Sequence, residues 1–215
     1  MIKNENYLTI FHEIKNSITL INSSLQLVAK KHPEVIGFDY WNETISEIGF
    51  LKNMVTQLSS SRLGDNLNLT EVDLKTYMPQ IMNSAYMLSS DDFHCELFME
   101  EHLPPVMLDQ QLLRQAIVNL IKNAYEAMQE TGTVKINVTF SDNWLRIAIV
   151  DSGGGLDPAM AESVFEPFIT SKTGGSGLGL SITQKIIESH QGMLTCDSRP
   201  GDGCTFTILL PPMQN

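Results

Sequence analysis

A run of apolar residues at alternating spacings of three and four constrains this chain before anything else does. Phe11, Ile14, Ile18, Ile21, Leu25 and Val28 keep that spacing without a break. Only a helix returns residues three and four apart to one face, and a seam of this kind packs against other helices. Pro33 ends the helix near Lys31, because His32 before it is biased toward extended backbone. A second helix is predicted over residues 39–61, with Trp41, Ile45, Ile48, Val55 and Leu58 on one side. Two helices of this length cannot bury both seams between themselves. A four-helix bundle built by two chains is the natural solution, so a homodimer is expected.

The chain then changes character. Residues 59–66 are polar and rich in breakers, which marks a linker. Residues 1–65 hold six basic and seven acidic side chains, whereas residues 66–215 hold eight and eighteen. The predicted domains are therefore 1–65 and 66–215. In the second, helices are predicted over residues 74–89, 109–129 and 181–190. Strands are predicted over residues 94–100, 134–140, 144–150, 193–198 and 204–210. Helices with a mostly hairpin-connected sheet give an α+β fold: an antiparallel helical hairpin followed by a two-layer α/β sandwich.

Composition excludes some functions. The formal net charge of −11 is a poor match for nucleic acid, which calls for a basic face. The three cysteines, Cys95, Cys196 and Cys204, form no C-x-x-C pair. Such a sparse, odd set argues against a disulfide framework or a zinc site and for a reduced, cytoplasmic setting. No apolar run approaches the roughly 18 residues of a membrane span, and none resembles a signal peptide.

Three features of the second domain carry chemistry. Asn119 and Asn123 lie four apart, so their carboxamides share a helix face, and amide oxygens suit a hard cation such as Mg²⁺. Next, the apolar strand I-A-I-V runs into Asp151-Ser-Gly153-Gly154-Gly155. A carboxylate there can accept from an exocyclic amine while the glycines admit a flat ring. Last, Thr170-Ser-Lys172-Thr-Gly174-Gly175-Ser-Gly177-Leu178-Gly179-Leu180 leads into an apolar-periodic helix. Backbone N–H groups and the helix dipole make such a junction a phosphate cradle without bulk positive charge. Each feature alone has a plainer reading: surface asparagines, an Asp-Gly turn, a glycine-rich loop.

Their order is what is specific. Asn119-x-x-x-Asn123, Asp151-x-Gly153-x-Gly155, Phe165-Glu-Pro-Phe168 and Gly175-x-Gly177-x-Gly179 resemble, in sequence, the N, G1, F and G2 boxes of sensor histidine kinases. That family shares its ATP-binding fold with type II topoisomerases, mismatch-repair ATPases and a heat-shock chaperone. The wording around Asn123 and His190 is most similar to the sporulation and nitrogen-regulation kinases. The resemblance implies that Asn123 ligates Mg²⁺ and that Asn119 sits beside the phosphates of ATP. It implies that Asp151 binds the adenine amine, with Gly153 and Gly155 giving the ring room. Lys172, Gly175, Gly177, Leu178, Gly179 and Leu180 would close over the triphosphate, with Phe165 and Phe168 anchoring that lid. The hydrolysing cousins carry a general-base Glu where this chain has Asn119. An amide cannot deprotonate water, which favours transfer to another nucleophile.

Phe11-His12-Glu13-Ile14-Lys15-Asn16 matches the family's H box. The resemblance makes His12 the phosphorylated nucleophile and Glu13 the residue that fixes its tautomer or takes its proton. Asn16, at the position associated with removing phosphate from the partner, would orient a water. Ser17 stands where the family usually has proline. The implied partner is a response regulator receiver domain whose aspartate takes the phosphate. No sensor domain precedes His12, so the input comes from a longer chain or a separate sensor protein. A catalytically silent dimeric phosphotransfer scaffold is the alternative.

Overall fold

A computed structural model describes residues 2–59, 67–85, 92–170 and 177–211. The chain divides into two compact units, Met1–Arg62 and Leu63–Asn215.

Unit 1 contains α1 (Ile2–Lys31), a 3-10 turn (Pro33–Gly37) and α2 (Trp41–Ser59). Thus α2 starts two residues later than the predicted 39. Helix α1 runs unbroken through Ser17, which a proline would have kinked. Tyr40 takes a positive φ of 66° and turns the chain into α2. Helices α1 and α2 pack on each other. The heptad seam of α1 splits within one chain. Ile18 is buried (8% exposed) and Leu25 half-buried, while Ile14, Ile21 and Val28 stay exposed at 38%, 51% and 40%. Leu20 and Leu27, one residue before two of these, are exposed as well.

Unit 2 is α+β with a mixed sheet. Its elements are β1 (Thr70–Val72), α3 (Leu74–Ala85), β2 (Phe93–Met99), β3 (Val106–Leu108), α4 (Gln110–Ala127), β4 (Gly132–Ser141) and β5 (Trp144–Val150), followed by α5 (Pro158–Ser163), α6 (Gly179–Ser189), β6 (Met193–Arg199) and β7 (Gly203–Leu210). The main sheet has the order β2-β4-β5-β7-β6, and β1 pairs with β3 in a separate two-stranded ladder. Three of its four pairings are antiparallel, but β2 and β4 run parallel. The expectation of hairpin connections fails there because the chain crosses over through α4. Strands β1 and β3, with three residues each, and the short α5 were not predicted.

Helices α3, α4 and α6 pack on the sheet, and α4 packs on both of the others. Helix α4 buries Leu113, Ala116, Ile117, Leu120, Ile121 and Ala124. Each large aliphatic among them contributes on the order of 2 kcal/mol, so α4 is firmly anchored. Ile136, Ile147, Ile149, Phe206 and Ile208 supply the sheet's side of the core. Whatever protrudes from α4 away from that core is therefore held still.

Candidate nucleotide site

Asp109, predicted as the first residue of α4, is its N-cap. One carboxylate oxygen accepts from the N–H groups of Gln111 and Leu112 at 3.0 and 3.1 Å, the other from Asn68 N–H at 3.0 Å. The backbone N–H of Asp109 donates to Nε2 of buried His190 at 3.0 Å, and His190 Nδ1–H donates to the Ile186 carbonyl at 2.8 Å. Both ring nitrogens are thus assigned. Burial also pushes the His190 pKa down, so the ring is kept neutral. The head of α4 is thereby tied to the tail of α6.

Asn119 makes a second tie. Its amide N–H donates to Thr183 Oγ1 at 2.9 Å, and Thr183 Oγ1 donates to the Gly179 carbonyl at 3.0 Å. Gly179 lies so close that a Cβ on it would come within 2.7 Å of Asn119 Oδ1. The N-box amide and the last G2 glycine are therefore one packed unit. Asn123 follows one turn later on the same helix, half-buried. A single amide oxygen fits an ion that otherwise keeps phosphate and water ligands.

Asp151 is 5% exposed. Its Oδ1 accepts from Gly153 N–H at 2.9 Å and Cys204 N–H at 3.2 Å, while its own N–H donates to the Cys204 carbonyl at 2.9 Å. The carboxylate is thus fixed in orientation by the chain itself. Gly153 leaves no room for a side chain, since a Cβ would lie 2.9 Å from the Ala127 carbonyl oxygen at the end of α4. Gly155 has a φ of +68°, and a Cβ there would strike the Arg199 carbonyl. Both glycines are required by packing within the protein before any ring arrives.

Phe165 packs edge-on against Phe206, with ring centroids 6.4 Å apart. Phe168 is exposed, takes a φ of 69°, and donates its N–H to the Gly177 carbonyl at 2.9 Å. The F box and the second G2 glycine are thus hydrogen-bonded neighbours. Helix α6 begins at Gly179 with Leu178 at its N-cap, which offers no side-chain cap, and Leu180 follows in the first turn. The start of α6 presents backbone N–H groups suited to anionic oxygen. Lys172 and Gly175 lie outside the described residues.

His12, Glu13 and Asn16 all lie on α1; the side chains of His12 and Glu13 are outside those described, and Asn16 is exposed. Sequence reasoning missed Thr183, the partner of Asn119, and Cys204, whose backbone holds Asp151. A hydroxyl one turn into a helix that follows a glycine run is the signal that points to the first. Among the described residues there is no cluster of three or more His, Cys, Asp or Glu placed to hold a metal. No helix among the described residues is long and apolar enough to cross a membrane.

Residues 108–214 match the family described as histidine kinase-, DNA gyrase B- and HSP90-like ATPase. Over 206 residues the chain is 31% identical to the signal transduction histidine-protein kinase AtoS of Escherichia coli K12, covering 94% of this chain and 34% of AtoS. It is 32% identical over 213 residues to sporulation kinase A of Bacillus subtilis 168, covering 94% of this chain and 33% of that one. It is 28% identical over 215 residues to the sensory histidine kinase/phosphatase NtrB of Vibrio alginolyticus, covering 94% and 61%. The chain therefore spans 34%, 33% and 61% of these relatives' lengths. Among solved structures, full-length ShkA in complex with AMPPNP superposes with a TM-score of 0.76 at 22% identity, covering 98% of this chain and 46% of that one. The nucleotide-free catalytic domain of the histidine kinase ThkA does so at 0.56 and 30% identity, covering 68% and 97%.

Proposed function

Because the chain belongs to the sensor histidine kinases of two-component signalling, we propose that it binds Mg-ATP in residues 66–215 and transfers the γ-phosphate to His12 in residues 1–65. The phosphate then passes to an aspartate of a response regulator receiver domain. One observation carries the nucleotide half of this reading. A single helix, α4, meets the G2 glycine through Asn119 and the G1 glycine through Ala127, so the motifs far apart in sequence converge on one element.

The roles follow from chemistry. Asp151, held by two N–H donors, presents a fixed acceptor for the adenine amine. The start of α6 receives phosphate oxygens through its N–H groups and dipole. Asn123 supplies an oxygen ligand to Mg²⁺, which when bound screens the charge of the phosphates. Asn119 positions rather than deprotonates, because an amide is no base and its N–H is committed to Thr183. Neutral His12 attacks with one ring nitrogen, while Glu13 steadies the proton on the other. Asn16, exposed four residues on, orients water toward a phosphoaspartate and makes the protein a phosphatase as well. The exposed stripe of Ile14, Ile21 and Val28, spaced by heptads, supports dimerisation through α1 and α2.

The test is incubation of the chain with labelled ATP, comparing the native protein with His12→Gln. Acid-labile label on the native chain and none on the variant is the expected result. Label retained by His12→Gln, or acid-stable label on either, would refute the assignment.

A further inference from the structure

We propose that Cys196 and Cys204 form a peroxide-sensitive dithiol whose oxidation to a cross-strand disulfide withdraws Asp151 from nucleotide binding. The second half of this inference rests on the nucleotide reading above.

The two cysteines sit on neighbouring antiparallel strands. Cys196 faces Phe206 and Cys204 faces Ser198, so the cysteines are diagonal neighbours on one face of the sheet. That face is the helix-covered one, as the buried Leu194, Phe206 and Ile208 show. Both thiols are free, and each is the largest influence on the other's ionisation. Ser198 Oγ lies 3.0 Å from Cys204 Sγ. The Cys196 thiol, followed by Ser198, favours the charged form of Cys204, and together they outweigh burial and bring its pKa down to about 7. Cys204, followed by burial, pushes Cys196 up. Ionisation is therefore favoured at Cys204 and disfavoured at Cys196, the order expected of an attacking cysteine beside a resolving one.

The chemistry balances with a peroxide as oxidant. The Cys204 thiolate attacks one oxygen, the O–O bond breaks, and the departing hydroxide takes a proton to become water. Cys204 is left as a sulfenic acid. The sulfur of Cys196 then attacks the sulfenic sulfur, an S–S bond forms, and hydroxide leaves with the Cys196 proton as a second water. The dithiol loses two protons and two electrons, and the peroxide takes them up to become two waters. Cys204 is 6% exposed, but hydrogen peroxide is little larger than water, and Cys196 beside it is half-buried.

The consequence for the site is geometric. Diagonal neighbours on antiparallel strands are farther apart, at about 7–8 Å, than a disulfide tolerates without backbone movement. Closing the bond must pull β6 and β7 together near their turn. Cys204 cannot move alone, because its N–H and carbonyl are the groups that hold Asp151. Ser198, opposite it, accepts from Leu156 N–H at 2.8 Å, and its hydroxyl lies 3.0 Å from both the Gly203 carbonyl and Cys204 Sγ, either of which can take its one proton. The G1 loop therefore hangs from Cys204 itself and from Ser198, two residues along β6 from Cys196.

The full chain should be treated with hydrogen peroxide, quenched with catalase and alkylated in denaturant, then analysed by mass spectrometry. Binding of a fluorescent ATP analogue is followed in parallel. The expected product has lost two hydrogens, resists alkylation at Cys196 and Cys204 but not Cys95, and yields a linked 196–204 peptide. Its nucleotide affinity should fall about tenfold and return with dithiothreitol. Cys196→Ser should keep its affinity under peroxide treatment that leaves it intact and should accumulate a sulfenic acid trapped by dimedone. Cys196→Val serves in its place if the serine variant fails to fold by circular dichroism. Full alkylation of both thiols after peroxide, an unchanged affinity in the linked protein, or an equal loss in the Cys196 variant would each overturn the proposal. If the reduced native chain itself binds no nucleotide, the nucleotide reading fails, and the mass spectrum alone decides the dithiol.

Discussion

Gly179→Ala separates helix propensity from site geometry, because the two predict opposite signs. Gly179 does not occupy the left-handed region, so alanine meets no backbone strain there. Propensity alone then favours alanine in a helix by up to about 1 kcal/mol. Packing opposes it, since the new methyl would lie 2.7 Å from Asn119 Oδ1 and 3.1 Å from Nδ2. Relieving that overlap costs about 1–3 kcal/mol. Asn119 must turn away, which also sacrifices its 2.9 Å bond to Thr183, worth about 1 kcal/mol. The net expectation is a loss of about 1–3 kcal/mol, or several degrees in melting temperature for a chain of this size. Urea and thermal unfolding of the full chain measure it. The sharper assay is a double-mutant cycle. In an Asn119→Ala background the obstructing amide is gone, so adding Gly179→Ala should be neutral or stabilising, with a coupling of about 1–3 kcal/mol. Additive effects, or a Gly179→Ala single variant more stable than the native chain, would refute the claim that these boxes are one packed unit.

Asp151→Asn should leave the fold intact by circular dichroism and weaken ATP binding by about 1–3 kcal/mol, measured by titration calorimetry, because the amide can turn its NH₂ toward the adenine amine; an unchanged affinity would reduce Asp151 to a turn residue. His190 makes stability pH-dependent. Its folded pKa is lowered, so the unfolded chain takes up the proton first; its contribution is constant above about pH 6.5 and declines as pH falls below that, by at most about 1.4 kcal/mol per unit. Urea midpoints from pH 5 to 8 should show that slope, and His190→Gln should lose it. Asn123→Ala should abolish phosphorylation in the labelled-ATP assay and cost more than Lys172→Ala, since a metal offsets phosphate charge more directly than one flexible lysine. Asn16→Ala should leave His12 labelling largely intact and slow loss of phosphate from the regulator; a parallel fall in both activities would sink the phosphatase assignment.

Much of this was legible because local chemistry and tertiary structure agree. Strand β5 runs over the predicted residues, 144–150, because Leu145, Ile147 and Ile149 alternate onto the core face, although Ala148 between them is buried too. Helix α4 was readable from its apolar period, and Asp109 misread by one position, because an N-cap resembles a first helical residue until its hydrogen bonds are seen. The parallel β2–β4 pairing was hidden, since nothing in either strand encodes its neighbour's direction. At the site, Asn119 and Asn123 announced themselves by helical spacing. Thr183 did not, being 64 residues away and defined only by the packing of α4 on α6. The cysteines were set aside for lack of a C-x-x-C motif. Counting outward from the turn at residues 200–202 puts Cys204 opposite Ser198 and Cys196 opposite Phe206, so the two cysteines are diagonal neighbours on one face.

The bonds of Asp109 make it a load-bearing pin in the mechanical sense. Its carboxylate takes the N–H of Asn68 and the head of α4, and its own N–H is given to His190 at the tail of α6. With Asn119–Thr183 as a second pin, the two helices form a braced frame. Asn68 and Gly179 are thus joined through hydrogen bonds at both ends of two packed helices.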